Sequence, residues 1–589
     1  MHQSVDFCRF RSAFGLLAIV VVLAGCAATG GSNQSVSSGQ KAGAEQPPTA
    51  QDAIAVSAHP LATAAALEML DAGGTAVDAA IATQMVLGLV EPQSSGLGGG
   101  SLLMYWDAST RKLSSLDGLA AAPAAVSPAI RFGPDGRRLS SEEFARSGRS
   151  VGVPGTLQLM QMAHQRHGRL AWARLFEPAI RLAIDGFPMP RYLHSILAKP
   201  GAEKAHAAFS ELYFDPQGKV LPIGATVRNL AYAQTMRAIA TEGARTWLAG
   251  EGARQIVAAV RAHRLAGVLT EQDIRDYRPV EREPLCAPFL VYRVCSFAPP
   301  SFGGVVVLQM LQMLEARAPQ AYAFEDSDFS HLYAEAGRLA QAERRRWIGD
   351  PDHVRIPLEG LLAPAYLRER SGLINPKAAN PNPKAGEPVG AKQAFVADDH
   401  DPVSTTSQIA IADQHGNVVS ITTTINLNFG SRIPAAGFVL NNVLTNFSTA
   451  AVEPVDRANA MRPGKRPITS MSPTLVFDAK GEPVVAGGSA GGGPIVDYIA
   501  SALIDLLAAG RTPEQALARG HLTTALQSKI TLEKGTAAAA QADRLRALGH
   551  DVRVAPLTSG LGFIQRRESG WIGAADPRRD GNAGIRPVR

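Results

Sequence analysis

Ser404-Thr405-Thr406-Ser407-Gln408-Ile409 is followed, eighteen residues beyond Thr406, by Thr424-Ile425-Asn426, and later by Gly487-Gly488-Ser489-Ala490-Gly491-Gly492-Gly493. Between the first two stretches the sequence alternates: Ile409-Ala410-Ile411-Ala412-Asp413, a turn signal at His415-Gly416-Asn417, then Val418 to Thr424. This pattern predicts a β-hairpin with Thr406 at the mouth of one strand and Thr424 at the far end of its partner. A threonine hydroxyl alone is a poor nucleophile, because its proton leaves only at very high pH. If the bond before Thr406 is broken, the freed α-amine, with an ordinary pKa of about 7.7 to 8.0, is a base on the same residue. Thr424 is then placed to hold the nucleophile by a hydrogen bond. Consecutive backbone N–H groups at Gly491-Gly492 suit the oxyanion that forms on the attacked carbonyl.

The chain has 589 residues, 46% hydrophobic and 19% charged, enough to bury a large core. Its start reads as an export signal over residues 1–25: Arg9 and Arg11, an apolar run from Phe14 to Leu23, then Leu23-Ala24-Gly25-Cys26. That ending resembles a bacterial lipobox, which would be cut before Cys26 and lipidated there, leaving the protein periplasmic and anchored to the membrane by lipid. Ala27 resembles the following residue of lipoproteins sent to the outer membrane. Residues 26–50, rich in Gly, Ser, Ala, Gln and Pro, suit a flexible tether. With Cys8 lost with the signal and Cys26 lipidated, Cys286 and Cys295 remain, either as a bridge closing a hairpin or strand end or as two free thiols. No His or further Cys stands at ligand spacing, so no metal is implied.

The net charge of +6 invites a nucleic-acid reading. The basic residues are spread out, without aromatic interleaving, and Arg344-Arg345-Arg346 reads as a solvated helix face, so no nucleic-acid partner is expected. Helical patterns run from Ala62 to Ala72, Ala76 to Gly88, Val305 to Glu315 and Phe329 to Trp347, with a helix-rich region over about 155–280. Strands are expected at Ser101–Trp106 and around Leu290–Phe297. Ser94-Ser95-Gly96-Leu97-Gly98-Gly99-Gly100 lacks the following helix and Lys of a phosphate cradle, and reads as close backbone packing. From Leu373 to Ser404 a polar stretch reads as a loop able to reach a processing site.

Further motifs occur in order: Val153-Pro154-Gly155-Thr156, Pro299-Pro300-Ser301-Phe302-Gly303-Gly304, Trp347-Ile348-Gly349-Asp350-Pro351-Asp352, Asn426-Leu427-Asn428-Phe429-Gly430, Leu440-Asn441-Asn442, Lys465-Arg466-Pro467-Ile468-Thr469-Ser470-Met471-Ser472-Pro473-Thr474 and Ala575-Asp576-Pro577-Arg578. With the stretches above, they resemble the γ-glutamyltranspeptidase (glutathione hydrolase) family from about Ala53 to Arg578. The resemblance implies an α+β fold, the four-layer αββα sandwich of N-terminal-nucleophile hydrolases. It also implies a precursor cut between Thr405 and Thr406 into a large subunit, 51–405, and a small one, 406–589, that stay together. The family places its nucleophile eleven residues before the Asn of the hairpin turn and eighteen before the supporting threonine, so Asn417 and Thr424 both select Thr406 over Thr405.

Carried over position by position, Thr406 is the nucleophile, Thr424 its support and Gly491 and Gly492 the oxyanion donors. Asn426 contacts the substrate α-amino group, and Thr469 and Ser470 its carboxylate. Gln408 stands where many members have His. The family's carboxylate-binding Arg falls at Leu119, within Asp117-Gly118-Leu119-Ala120, and its acidic pair for the amino group at Val443 and Asn446. The connection after Phe447 is short and lacks the aromatic lid of some bacterial members. The expected activity is transfer of an acyl group from a γ-glutamyl amide such as glutathione, through a threonyl ester, to water or an amine, with no cofactor. Leu119, Val443 and Asn446 make an acylase for glutaryl-like groups the alternative, since the acylase branch also has Asn where transpeptidases have Asp. A catalytically silent surface lipoprotein is the alternative from another class, and the intact catalytic set argues against it.

Overall fold

Alternation along the predicted hairpin decides the layering. The computed structural model describes residues 52–202, 206–317, 322–392, 395–398, 405–449, 457–525 and 528–587. Residues 1–25 and 26–50, expected as export signal and tether, and residues 399–404 ahead of the hairpin lie outside these. The first sheet contains β1 (Ala53–Ser57), β2 (Gly100–Asp107), β3 (Lys112–Gly118), β4 (Val280–Arg282), β7 (Thr405–Ala412), β8 (Val418–Asn426) and β13 (Asn582–Arg586). Their spatial order is β13-β1-β7-β8-β2-β3-β4. The second sheet holds β5 (Leu285–Phe289), β6 (Tyr292–Ser296), β9 (Thr474–Phe477), β10 (Pro483–Ala490), β11 (Gly560–Arg567) and β12 (Gly570–Ala575), in the order β12-β11-β10-β9-β6-β5.

On β7, Ile409 and Ile411 point outward and pack with Leu103, Val419 and Ile421 against helices α1 (Pro60–Asp71) and α2 (Ala76–Val90). Ala410 and Ala412 point the other way, into an inter-sheet core with Met104, Val418, Phe477, Ala486 and Ile564. The outer face of the second sheet, through Val294, Val476, Val485 and Phe563, is covered by α3 (Gly303–Ala316), α4 (Ser327–Trp347) and α5 (Ile495–Leu507). Helix, sheet, sheet and helix therefore stack in four layers. Both sheets mix strands from before and after residue 405.

Local chemistry sets the elements that matter for the site. Helix α2 starts at Thr75, whose hydroxyl accepts from Asp78 N while Asp78 Oδ2 accepts from Thr75 N at 2.9 Å, a reciprocal cap. The hairpin turn is tied to this helix by buried Asp413: Oδ1 accepts from Asn417 N at 3.0 Å and Oδ2 from Ala76 N at 2.9 Å. The glycine run before β2 is close packing, as expected: a Cβ at Gly98 would lie 2.1 Å from Val439 O, and one at Gly99 2.1 Å from Thr424 O.

Cys286 and Cys295 face each other across the β5–β6 hairpin and are bridged. This is the hairpin alternative of the two expected for the pair, and Leu290, at φ +55°, turns the chain between its strands. The solvated-face reading of Arg344 is corrected: it is 1% exposed, its guanidinium 4.6 Å from the Phe302 ring and bonded to Gln341 Oε1 at 2.7 Å. Helix α4 is covered along much of its length, so Arg344 falls on a packed side. Gly99→Ala should push Thr424 aside and lower stability by about 1–3 kcal/mol; chemical denaturation with an unchanged midpoint would refute that packing role.

Candidate active site

Between the pairs Thr423–Ser407 and Asn426–Thr405 the β7–β8 register shifts, so Thr424 and Ile425 together oppose the single residue Thr406. Such a bulge bends a strand and re-aims side chains. Asn426 takes φ +80°, in the left-handed region that a non-glycine residue adopts at a cost, as is common at functional sites. The shift brings the Thr424 hydroxyl onto the Thr405 carbonyl oxygen, to which it donates, while Asn426 N donates to Thr424 Oγ1 at 2.8 Å. The Thr405 hydroxyl lies 3.0 Å from Gln93 O and 3.2 Å from Asn426 O.

Thr406 is fully buried, and its Oγ1 has no hydrogen-bond partner among the described residues. Its carbonyl oxygen accepts from Arg579 Nη1 at 2.9 Å. Arg579 also donates to Ser559 O at 2.9 Å and Thr558 O at 3.2 Å, and stacks on Tyr192 with its Cζ 4.7 Å from the ring. Ser407 Oγ donates to Glu91 Oε2 at 2.6 Å. Gln408 is built into the inter-sheet layer: Nε2 donates to Ser420 Oγ at 3.0 Å and Oε1 accepts from Thr422 Oγ1 at 2.7 Å. A Cβ on Gly488 of β10 would lie 2.5 Å from Gln408 Oε1, so the second sheet passes directly beneath.

Beyond β10 the chain turns through Gly491 and Gly492, with φ of +125° and +74°, into the start of α5. A Cβ at Gly491 would meet the Tyr498 ring at 2.7 Å, so this turn needs glycine for both conformation and space. Gly560 would, with a Cβ, touch both Ala490 and Arg579, and Arg579 holds the Thr406 carbonyl. The glycine turn thus follows the strand end that packs toward Thr406. Its N–H groups sit at a helix N-terminus, where partial positive charge favours an anion. Ser470 Oγ donates to Gly492 O at 2.7 Å, and Thr469 Oγ1 accepts from Met471 N at 3.2 Å.

The Asn426 amide donates to Thr445 Oγ1 at 2.7 Å and lies 3.1 Å from Asn442 Oδ1, which leaves Oδ1 of Asn426 buried without a partner among the described residues. Such an oxygen can accept a hydrogen bond from a substrate. Asn446 ends the short turn Val443–Asn446; its carbonyl accepts from Asn459 Nδ2 at 2.8 Å, and it is Thr445 whose side chain meets Asn426. Val443 lies in an apolar cluster with Ala120, Ala122, Phe144, Leu444 and Phe447.

Leu119 is 3% exposed and packs in the inter-sheet core, with its carbonyl accepting from Tyr277 OH at 2.7 Å. The guanidiniums close to it in the fold are committed. Arg282 Nε binds Asp117 Oδ2 at 2.9 Å and its Nη2 binds Asp352 Oδ2 at 2.8 Å, while Arg466 Nε lies 3.5 Å from Asp117 Oδ1. Sequence reasoning missed Glu91, Thr445 and Arg579. Glu91-Pro92-Gln93 stands just ahead of the glycine run, and Arg579 directly follows Ala575-Asp576-Pro577-Arg578, yet nothing in spacing ties either to Thr406.

Comparison with known proteins agrees with this geometry. Residues 62–585 match the family model described as gamma-glutamyltranspeptidase. The glutathione hydrolase proenzyme of Bacillus subtilis (strain 168) is 32% identical over 546 residues, 90% of this chain and 91% of that protein. The acylase ACY 1 proenzyme of Pseudomonas sp. (strain SE83) is 31% identical over 547 residues, 91% of this chain and 94% of that protein. Among solved structures, the cephalosporin acylase of Bacillus halodurans aligns with a TM-score of 0.78 at 26% identity, covering 93% of this chain and 98% of that one. With its four layers and the match across nearly all of the described residues, the chain belongs to the γ-glutamyltranspeptidase family and has the N-terminal-nucleophile hydrolase fold.

Proposed function

We propose that the chain cleaves itself before Thr406 and then works as an N-terminal threonine hydrolase or transferase on amides of glutaryl-type acyl groups, of which γ-glutamyl is one. The observation that carries this reading is the buried, unpartnered Thr406 hydroxyl beside a Thr405 carbonyl that already accepts from Thr424. In the precursor, Thr406 Oγ1 attacks the Thr405 carbonyl carbon and the Thr424 hydroxyl stabilises the developing oxyanion. Breakage of the C–N bond, with the hydroxyl proton passing to the departing nitrogen, leaves Thr405 as an ester on Thr406 Oγ1 and frees the α-amine. Water then hydrolyses that ester to the Thr405 carboxylate. Because both sheets take strands from each side of the cut, the 51–405 and 406–589 pieces share one core and stay together.

In the cut protein the α-amine takes the hydroxyl proton as Thr406 Oγ1 attacks the substrate amide, and the oxyanion is received by N–H groups of Gly491 and Gly492. The leaving amine departs with a proton, and water or a second amine takes the acyl group from the ester. For the acyl head, Asn426 Oδ1 offers an acceptor, and Thr469 and Ser470 lie by the oxyanion turn. The apolar surroundings of Leu119 and Val443 oppose a zwitterion: a charge-assisted hydrogen bond contributes about 1.5–3 kcal/mol, and two such partners are replaced. This favours a glutaryl-like acyl group over γ-glutamyl. Export and lipidation at Cys26 belong to the same proposal, resting on the sequence alone.

On a denaturing gel the purified protein should separate into two fragments, the smaller beginning at Thr406. Thr406→Ala should remain one band, and Thr424→Ala should cut about 100- to 1000-fold more slowly, the usual cost of one oxyanion donor; normal cutting of Thr406→Ala would end the mechanism. A glutaryl anilide should exceed the γ-glutamyl anilide in kcat/KM by at least about tenfold, matching one lost charge-assisted contact, whereas equal turnover would mean other groups do the work of the missing Arg. Labelled fatty acid should enter the wild type and not Cys26→Ala; label in both would dismiss the anchor.

A further inference from the structure

Glu91 closes the C-terminal end of α2, its backbone N–H bonded to Leu87 O at 2.8 Å. Its side chain is buried, with Oε2 accepting from Ser407 Oγ at 2.6 Å and Oε1 without a partner among the described residues. Ser407 Oγ also accepts from Ser95 Oγ at 3.0 Å, so Ser95, Ser407 and Glu91 form a chain of hydrogen bonds directed at the carboxyl. That hydrogen bond and the lengths and angles of the intervening bonds keep Glu91 Oε2 within about 10 Å of the Thr406 nitrogen, by way of the Ser407 side chain and one peptide unit. The groups that face Glu91 are Arg579 and Asp580 from the C-terminal segment, Ser407 from β7 and Tyr192 from the helix Arg191–Leu197, with His59 facing Asp580. Arg579 is also the residue that holds the Thr406 carbonyl.

We propose that Glu91 is a positioning residue for the N-terminal threonine: through Ser407 it holds the start of β7, and its carboxylate is the counter-charge to the α-ammonium created by cleavage before Thr406. The inference rests on the reading of Thr406 as the freed nucleophile. A carboxylate in this place is disfavoured by burial and by the negative end of the α2 dipole. Burial pushes the Glu91 carboxyl up to about 7, against the opposing influence of Arg579 and the Ser407 hydrogen bond. Cleavage turns the neutral amide nitrogen of Thr406 into an amine that binds a proton. From then on the amine and the Glu91 carboxyl share protons across the neutral range, and their titrations belong to the pair.

The sign follows directly. The amine must be unprotonated to take the hydroxyl proton. Ionised Glu91 favours the ammonium and raises the pH at which the base becomes available, while Arg579 opposes it. At about 10 Å and an effective dielectric constant of about 20, the carboxylate moves the amine by about one pH unit.

Glu91→Gln keeps the shape and the acceptor for Ser407 and removes the charge. In cut protein, its kcat/KM against pH, on whichever anilide the wild type turns over, should show an acid limb about one pH unit lower than wild type. Ser407→Ala, which retains the carboxyl but loses the hydrogen bond that favours its ionised form, should lower kcat and move the limb by less than Glu91→Gln does. A Glu91→Gln limb that superposes on wild type overturns the proposal. Should Glu91→Gln stay uncut, the carboxyl 13C resonance of Glu91 decides, assigned by its loss in that variant. Its midpoint should fall by about one unit between uncut Thr406→Ala and cut wild type, and equal midpoints overturn the proposal. A wild type that is not cut before Thr406 fails the underlying reading, whereas a cut, active wild type with an unmoved Glu91→Gln limb fails this inference alone.

Discussion

Thr424 can reach the Thr405 carbonyl only because the β7–β8 ladder slips at one residue, and that slip is held from three directions. Asp413 fixes the hairpin turn onto the N-terminus of α2; the glycine run before β2 lets the Gly99 backbone lie against Thr424 O; Arg579 clasps the Thr406 carbonyl. Each contact belongs to a different part of the chain. The strain visible at Asn426, with its positive φ, is sustained because the surroundings leave this segment no other course.

The neighbourhood of Thr406 is polar in a place where burial is otherwise apolar. Gln408, Ser420 and Thr422 satisfy one another between the sheets, and Ser420 Oγ continues to Gly487 O at 2.8 Å, so this layer is nearly closed in hydrogen bonds. Among the described residues, Thr406 Oγ1, Asn426 Oδ1 and Glu91 Oε1 are among the buried atoms left without partners, and all three belong to the hairpin opening or bond to it. A buried polar atom without a partner costs about 1–3 kcal/mol. Such atoms around one strand end are a local cost in stability.

Around Leu119 and Val443 the logic is reversed. Asp117, Asp350 and Asp352 hold Arg282 and Arg466 in a partly buried ionic network, which leaves those cations serving the fold. Leu119 and Val443 meet the neighbouring sheet and loop as ordinary apolar residues. The surroundings of Thr406 are thus polar, whereas those of Leu119 and Val443 are apolar.

Period-two alternation in Gln408–Thr424 was enough to read the hairpin, and helix composition with glycine stops was enough to read α1 and α2, because those signals are local. Ordered motifs spread over the chain were enough to read the family and the glycine turn. Arg344 was misread since its neighbours in sequence do not reveal that α4 is covered along much of its length. Glu91, Thr445 and Arg579 were missed for a related reason: their partners lie 316, 19 and 173 residues away, and only packing of the sheets brings them together. The sequence by itself determined the hairpin and the family, and it singled out Thr406 as the candidate nucleophile, since hydroxyl, hairpin spacing and glycine turn are written in order along the chain. The tertiary structure decided what surrounds that threonine, because the register shift, the Arg579 clasp and the buried Glu91 exist only once strands from both ends of the chain share a sheet.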